Sequence, residues 1–139
     1  MKLALLKSAF GHDAFQPGQE ELIDALQSGR DLLGVMATGS GKSLCYQFPA
    51  VQGQKRCLVV SPLISLMNDQ VKKLELVGIA AAGMHSHVSS FERQRALEEW
   101  TGNRLRLLYV APERFVDEAF TGWRGFPAAV NAFARLIRA

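Results

Sequence analysis

One eight-residue stretch, Met36 to Ser43 (MATGSGKS), limits what this chain can fold into more than any other. The run before it, Asp31 to Met36 (DLLGVM), reads as a short buried strand, and Lys42 to Phe48 reads as the start of a helix. Gly39 and Gly41 admit backbone angles that other residues resist, so successive N–H groups can turn inward around a polyphosphate. The helix adds unpaired N–H groups and the positive end of its dipole at the same point. The cradle is thus Thr38, Gly39, Ser40 and Gly41, with Lys42 reaching the β and γ phosphates and the Ser43 hydroxyl ligating Mg²⁺. One position departs from the pattern G-x-x-x-x-G-K-[ST], because Met36 stands where the first glycine belongs. The bland alternative is a Gly/Ser turn carrying a surface lysine.

At 139 residues the chain is one domain's worth, long enough to bury a core. No apolar run approaches the 18 or so residues of a membrane span, and MKLALLKSAFGHD is interrupted too soon for a secretory signal, so no membrane role and a cytoplasmic location are expected. Cys45 and Cys57 form no CxxC pair and read as buried reduced thiols. The net charge of +3 invites a nucleic-acid reading, but residues 1–118 hold all 13 acids and 13 of the 16 basic residues. The excess therefore comes from Arg124, Arg135 and Arg138 alone, and binding to nucleic acid would have to show in local placement.

Taken in order, Lys2 to Phe10 reads as an amphipathic helix with Leu3, Leu6 and Phe10 on its apolar face, ended by Gly11. Pro17, Glu20 and Glu21 suit the first turn of a second helix, with Leu22, Ile23 and Leu26 facing inward and Gly29 stopping it. After the loop, a helix to about Phe48 is closed by Pro49. Arg56 to Ser61 (RCLVVS) has the unbroken apolar character of a strand buried on both faces. Pro62 opens a helix through about Val77. Ile79 to Gly83 is a weak Ala-rich strand, and Ser89 to Trp100 a helix with a capping box between Ser89 and Glu92. Leu105 to Val110 is a further strand and Pro112 begins another helix. Strand and helix alternate at crossover spacing, so the fold class is α/β, a parallel sheet with helices on both faces.

Three stretches together resemble the first motor domain of superfamily 2 helicases, specifically the RecQ family of DNA helicases: FGHDAFQPGQEELIDAL, MATGSGKSLCYQFPA, and VVSPLISLMNDQV followed by LLYVAPERF. The resemblance spans about Phe10 to Phe115 and accounts for Met36, because RecQ-like loops commonly carry methionine there. It implies a RecA-like P-loop fold, ATP and Mg²⁺ as cofactors, and single-stranded or forked DNA as partner. The activity implied is ATP hydrolysis coupled to strand separation, in DNA repair and recombination. Gln19 matches the glutamine that reads adenine, since an amide can accept from the N6 amine and donate to N7; a solvated glutamine in a helix's first turn is the alternative. Phe15 matches the residue packed beside the base, whereas Gln16 stands where the family usually has arginine. Ser61, Pro62, Ser65 and Asn68 match the motif that touches the DNA backbone, and Arg114 in PERF a residue that supports the nucleic-acid path. The serines, the asparagine and the arginine are otherwise ordinary solvated polar groups.

Such a motor also needs an acidic pair near the loop, carried by RecQ-like chains as D-E-A-H after a hydrophobic strand. VDEAF occurs at Val116 to Phe120, but only Phe115 and Val116 separate it from Arg114 and Phe120 replaces the histidine, so Asp117 and Glu118 read as solvated helix residues. Residues 1–118 then form a partial ATP-binding domain truncated before D-E-A-H, inactive as this fragment alone. Residues 119–139 form a divergent, acid-free tail in which Phe126, Val130, Phe133 and Ile137 recur at helical spacing. The alternative to a helicase part is a non-enzymatic remnant that binds nucleotide or DNA. His85 and His87 read as a surface turn rather than a metal pair. Oligomeric state is not legible.

Overall fold

The computed structural model describes residues 1–36, 41–53 and 55–116, divided between one unit of Met1–Lys55 and a second that begins at Arg56. In the first unit α1 (Lys2–Phe10) ends at Gly11, whose φ of 73° lies where only glycine is unstrained, and α2 (Gln19–Gln27) follows a second left-handed glycine, Gly18. Together with α3 (Lys42–Gln52) they enclose Leu6, Ile23, Leu44 and Phe48, with Leu5, Phe10 and Phe15 packed around them. The Phe15 ring meets Phe48 edge-on at 5.2 Å, and Phe10 sits 6.1 Å from Phe48. The inward face of α1 is Leu5, Leu6 and Phe10; Leu3, expected there, is 55% exposed. Lys2 reaches across to Asp24 and, at 3.6 Å, to Glu20, tying α1 to α2.

Two further local expectations are corrected in this unit. Pro49 does not close α3, which runs on to Gln52 with the proline inside it. Its missing N–H removes one rung near the helix end, and the burial of Leu44, Phe48 and Ala50 outweighs that loss. Asp31 to Met36 is not a buried strand: it joins no ladder, and Leu33 and Val35 are 89% and 88% exposed. Gly34 passes close to α2, where an added Cβ would stand 3.3 Å from a Leu22 methyl, so the segment touches the helix at its one residue without a side chain. An apolar run becomes a parallel strand only when laddered and covered, and here it has neither.

The second unit alternates β1 (Cys57–Val60), α4 (Ile64–Leu76), β2 (Ala81–Met84), α5 (Ser90–Thr101) and β3 (Leu107–Val110), ending in a 3-10 turn at Pro112–Val116. Pro112 does begin a helical turn, as expected, and it is 3-10 over the described residues. The strands form a parallel sheet in the order β1-β3-β2, with Leu58 and Ala82 flanking Leu108 and Val60 and Met84 flanking Val110. Every residue of β3 is buried, as a central parallel strand requires. Leu58, Met84, Leu108 and Val110 pack against Ala96 and Trp100 of α5. Met67 and Leu74 of α4 are buried outside that cluster, and α4 packs along β2. Both halves of the capping box form, with Glu92 N–H donating to Ser89 Oγ at 3.2 Å and Ser89 N–H to Glu92 Oε2 at 3.3 Å. Arg56 stacks over the Trp100 ring at 4.9 Å and donates to the Trp100 carbonyl at 2.6 Å, fastening the entry to β1 to the end of α5.

Candidate nucleotide and nucleic-acid sites

The loop expected to hold phosphate ends at Gly41, which takes φ 74° and ψ 40° and hands the chain to α3 at Lys42. An L-residue would be strained there, and its Cβ would also stand 2.3 Å from the Gln19 amide nitrogen. No side chain caps α3 at Gly41 among the described residues, and the start of this eleven-residue helix presents the positive end of its dipole to an anion. Lys42 is exposed at the first helical position and Ser43 is half-buried beside it. These donors fit a polyphosphate with a bound divalent ion; Thr38, Gly39 and Ser40 lie outside the described residues.

Gln19 is not a solvated glutamine. It is 2% exposed, its Oε1 accepts from the Gln16 N–H at 2.8 Å, and its Nε2 donates to the Gly41 carbonyl at 3.0 Å. The amide therefore ties the first turn of α2 to the cap of α3. Phe15, four residues before it, is half-buried against Phe48, while Gln16 is exposed. Cys45, one turn into α3, lies 4.0 Å from the same Gly41 carbonyl, and burial pushes its thiol upward from the ordinary range.

In the second unit the candidate nucleic-acid residues divide by exposure. Ser61 is buried at 4%, and its hydroxyl accepts from the Leu63 N–H at 3.2 Å, shaping the turn into α4. Pro62, Ser65 and Asn68 are exposed, and Ser65 and Asn68, three apart on α4, share a face. Arg114 is half-buried in the turn after β3. Reading from sequence missed one partner of this group. His85 is not on the surface: it is 3% exposed, directly beyond the end of β2, and its Nε2 lies 3.2 Å from Asn68 Oδ1. His87 remains exposed, and its backbone N–H donates to His85 Nδ1 at 3.2 Å. The available signal was position, since a residue following an apolar strand without a break tends to stay under the same cover. Asp117, Glu118 and the tail lie outside the described residues.

Among the described residues no helix is long and apolar enough to cross a membrane. Comparison with known proteins agrees with the fold and the motifs. Residues 16–133 match the model of the DEAD/DEAH box helicase family. The chain is 48% identical over 118 residues to the ATP-dependent DNA helicase RecQ of Haemophilus influenzae, covering 85% of this chain and 19% of that protein. It is 44% identical over 113 residues to RecQ of a Synechocystis species, covering 81% of this chain and 24% of the relative. The probable ATP-dependent DNA helicase RecS of Bacillus subtilis is 43% identical over 105 residues, 75% of this chain and 21% of that protein. The chain therefore spans only about a fifth to a quarter of the length of these relatives. Among solved structures, a hypothetical ATP-dependent RNA helicase from Sulfolobus tokodaii superposes with a TM-score of 0.72 at 18% identity, over 99% of this chain and 40% of its own, a likeness of fold.

Proposed function

The chain belongs to the DEAD/DEAH box helicase family, and on that premise we propose that it is the ATP-binding part of a RecQ-like DNA helicase acting in the cytoplasm. The observation that carries the reading is the joint at Gly41, where a glycine-only backbone, an uncapped helix start, an exposed Lys42 and a buried Gln19 meet within one unit. In this reading the N–H groups around Gly41 and Lys42 surround the phosphates, Lys42 balances their charge, and Ser43 holds Mg²⁺. When bound, Mg²⁺ offsets the negative charge shared by the β and γ phosphates. Gln19 reads adenine by exchanging its bonds to Gly41 and Gln16 for bonds to N6 and N7. Phe15 supports that end of the pocket from its place against Phe48. Ser65, Asn68 and Arg114, with the turn built by Ser61 and Pro62, hold phosphate oxygens of a single-stranded or forked DNA without reading its sequence.

The sequence contains no D-E-A-H, so the chain by itself binds ATP better than it hydrolyses it, and its hydrolysis is slow. A second reading, a nucleotide- or DNA-binding remnant without catalysis, is favoured by the unladdered Asp31 to Met36 segment, which leads into the loop from an exposed position. DNA-stimulated phosphate release by the chain and by Lys42→Ala separates the two. A rate for the unaltered chain well above that of Lys42→Ala supports the helicase part, and equal rates support the remnant. Tighter binding of ATP than of GTP, lost in Gln19→Ala, tests the assignment of the base.

A further inference from the structure

We propose that His85 is a positioning residue for nucleic-acid binding: it holds Asn68 by its amide oxygen and so turns the Asn68 NH₂ group outward as a donor to a phosphate oxygen. The inference rests on the proposed meeting of α4 with a DNA strand, and it deepens that reading by naming what orients the contact.

The hydrogen-bond directions around His85 leave one arrangement. The His87 backbone N–H can only donate, and it points at Nδ1 from 3.2 Å, so Nδ1 carries no proton. A neutral imidazole has one N–H, which must then be on Nε2, 3.2 Å from Asn68. A donor at Nε2 requires an acceptor opposite, so the oxygen of the Asn68 amide faces the ring and its NH₂ group faces away. His85 is 3% exposed whereas Asn68 is exposed, so a buried ring holds one end of a surface amide. Burial, with His87 and Arg114 beside it, lowers the His85 pKa against the opposite pull of Glu113 and Glu92, and the ring is neutral near pH 7. Asn68 sits one turn beyond Ser65, on the exposed side of a helix whose preceding turn already occupies the Ser61 hydroxyl. An unheld asparagine would present oxygen and NH₂ about equally, and the oxygen repels phosphate; fixing the amide removes the wrong orientation in advance.

The test uses the 139-residue chain and a fluorescent oligo-thymidylate. Asn68→Ala should weaken binding about tenfold, the loss of one hydrogen bond to a charged group. His85→Leu should weaken it severalfold, and Asn68→Ala should cost less in the His85→Leu background than in the unaltered chain, the double variant binding no more weakly than Asn68→Ala alone. His85→Gln, whose side-chain NH₂ can replace the Nε2 donor, should restore affinity to within about twofold of the unaltered chain. If His85→Leu binds as tightly as the unaltered chain while Asn68→Ala does not, the positioning role is wrong and the DNA contact stands. If Asn68→Ala has no effect, or the unaltered chain binds no DNA, the reading of α4 falls and the inference with it. Should His85→Leu fail to fold, nitrogen-15 NMR of the unaltered chain decides: a proton on Nε2 with Nδ1 bare supports the arrangement, and the opposite tautomer overturns it.

Discussion

Two apolar runs of equal length lie on either side of α3 and end differently. RCLVVS, residues 56–61, becomes a strand with Cys57, Leu58 and Val59 buried and β3 beside it. DLLGVM, residues 31–36, stays outside any ladder with Leu33 and Val35 in water. Composition does not separate them, since both carry one charge at the start and four apolar side chains. Neighbours do: β1 has a parallel partner in register from Cys57 to Val60 and a helix fastened to its entry through Arg56 and Trp100, whereas DLLGVM has no strand partner among the described residues, approaching α2 at Gly34 and Cys45 of α3 through Met36. A strand is a property of a pair, and hydropathy alone announces only a candidate for pairing.

The contrast can be broken or sharpened by experiment. The largest effect should be chemical: burial pushes the Cys57 thiol from 9.0 to about 12, so its thiolate population falls about a thousandfold. Cys57 should resist a thiol reagent at pH 8 until the chain unfolds, while Cys45, whose thiol is raised less by burial, reacts sooner. Because the native state holds the Cys57 proton more tightly, stability from this group is present below pH 9.0 and is lost as pH rises toward 12. Rapid labelling of native Cys57 would mean that the sheet opens readily, and the difference between the two runs would shrink.

Next in size is a pair of truncations. Leu108→Ala, in the middle of the central strand, should destabilise the chain by about 2–5 kcal/mol in a denaturant melt. Leu33→Ala should stay within about 0.5 kcal/mol. Comparable losses would show that DLLGVM is laddered in solution and would erase the comparison. Gly41→Ala should reduce ATP affinity about tenfold, from the left-handed backbone cost of about 1–2 kcal/mol, while far-ultraviolet circular dichroism of the sheet is unchanged. The smallest effect is the pH response of His85. Its folded pKa is depressed below 6.5, so the unfolded chain takes up the proton first, and stability falls as pH drops below 6.5 and is unaffected above it. His85→Gln should flatten that slope in melts taken between pH 7 and 5.

Much of the fold was legible because most local signals agreed with one another. Gly11 and the Ser89–Glu92 box each had a mechanism that required no partner to be known. The failures share a different cause. Pro49 was expected to stop α3, but burial of the turn around it overrode local propensity. DLLGVM and His85 depended on what lies across space, the lack of a strand partner among the described residues in one case and the Asn68 amide in the other. At the candidate site, the residues of the loop and of α4 could be named from spacing, but the bonds of Gln19 to Gly41 and of Ser61 to Leu63 could not, because amides and hydroxyls choose partners by geometry that no motif encodes.

The strand order carries a consequence for how the chain is made. The middle position of β1-β3-β2 belongs to the strand that leaves the ribosome last of the three. Until Leu107–Val110 emerges, Cys57–Val60 and Ala81–Met84 have nothing to pair with in this sheet, although both have been synthesised and one is strongly apolar. For roughly fifty residues of translation, a few seconds at common elongation rates, the nascent chain therefore exposes a waiting strand. Pausing, crowding on the polysome, or a slow codon between α5 and β3 would lengthen that interval, and the yield of folded chain should depend on translation speed there more than on that of any stretch before it.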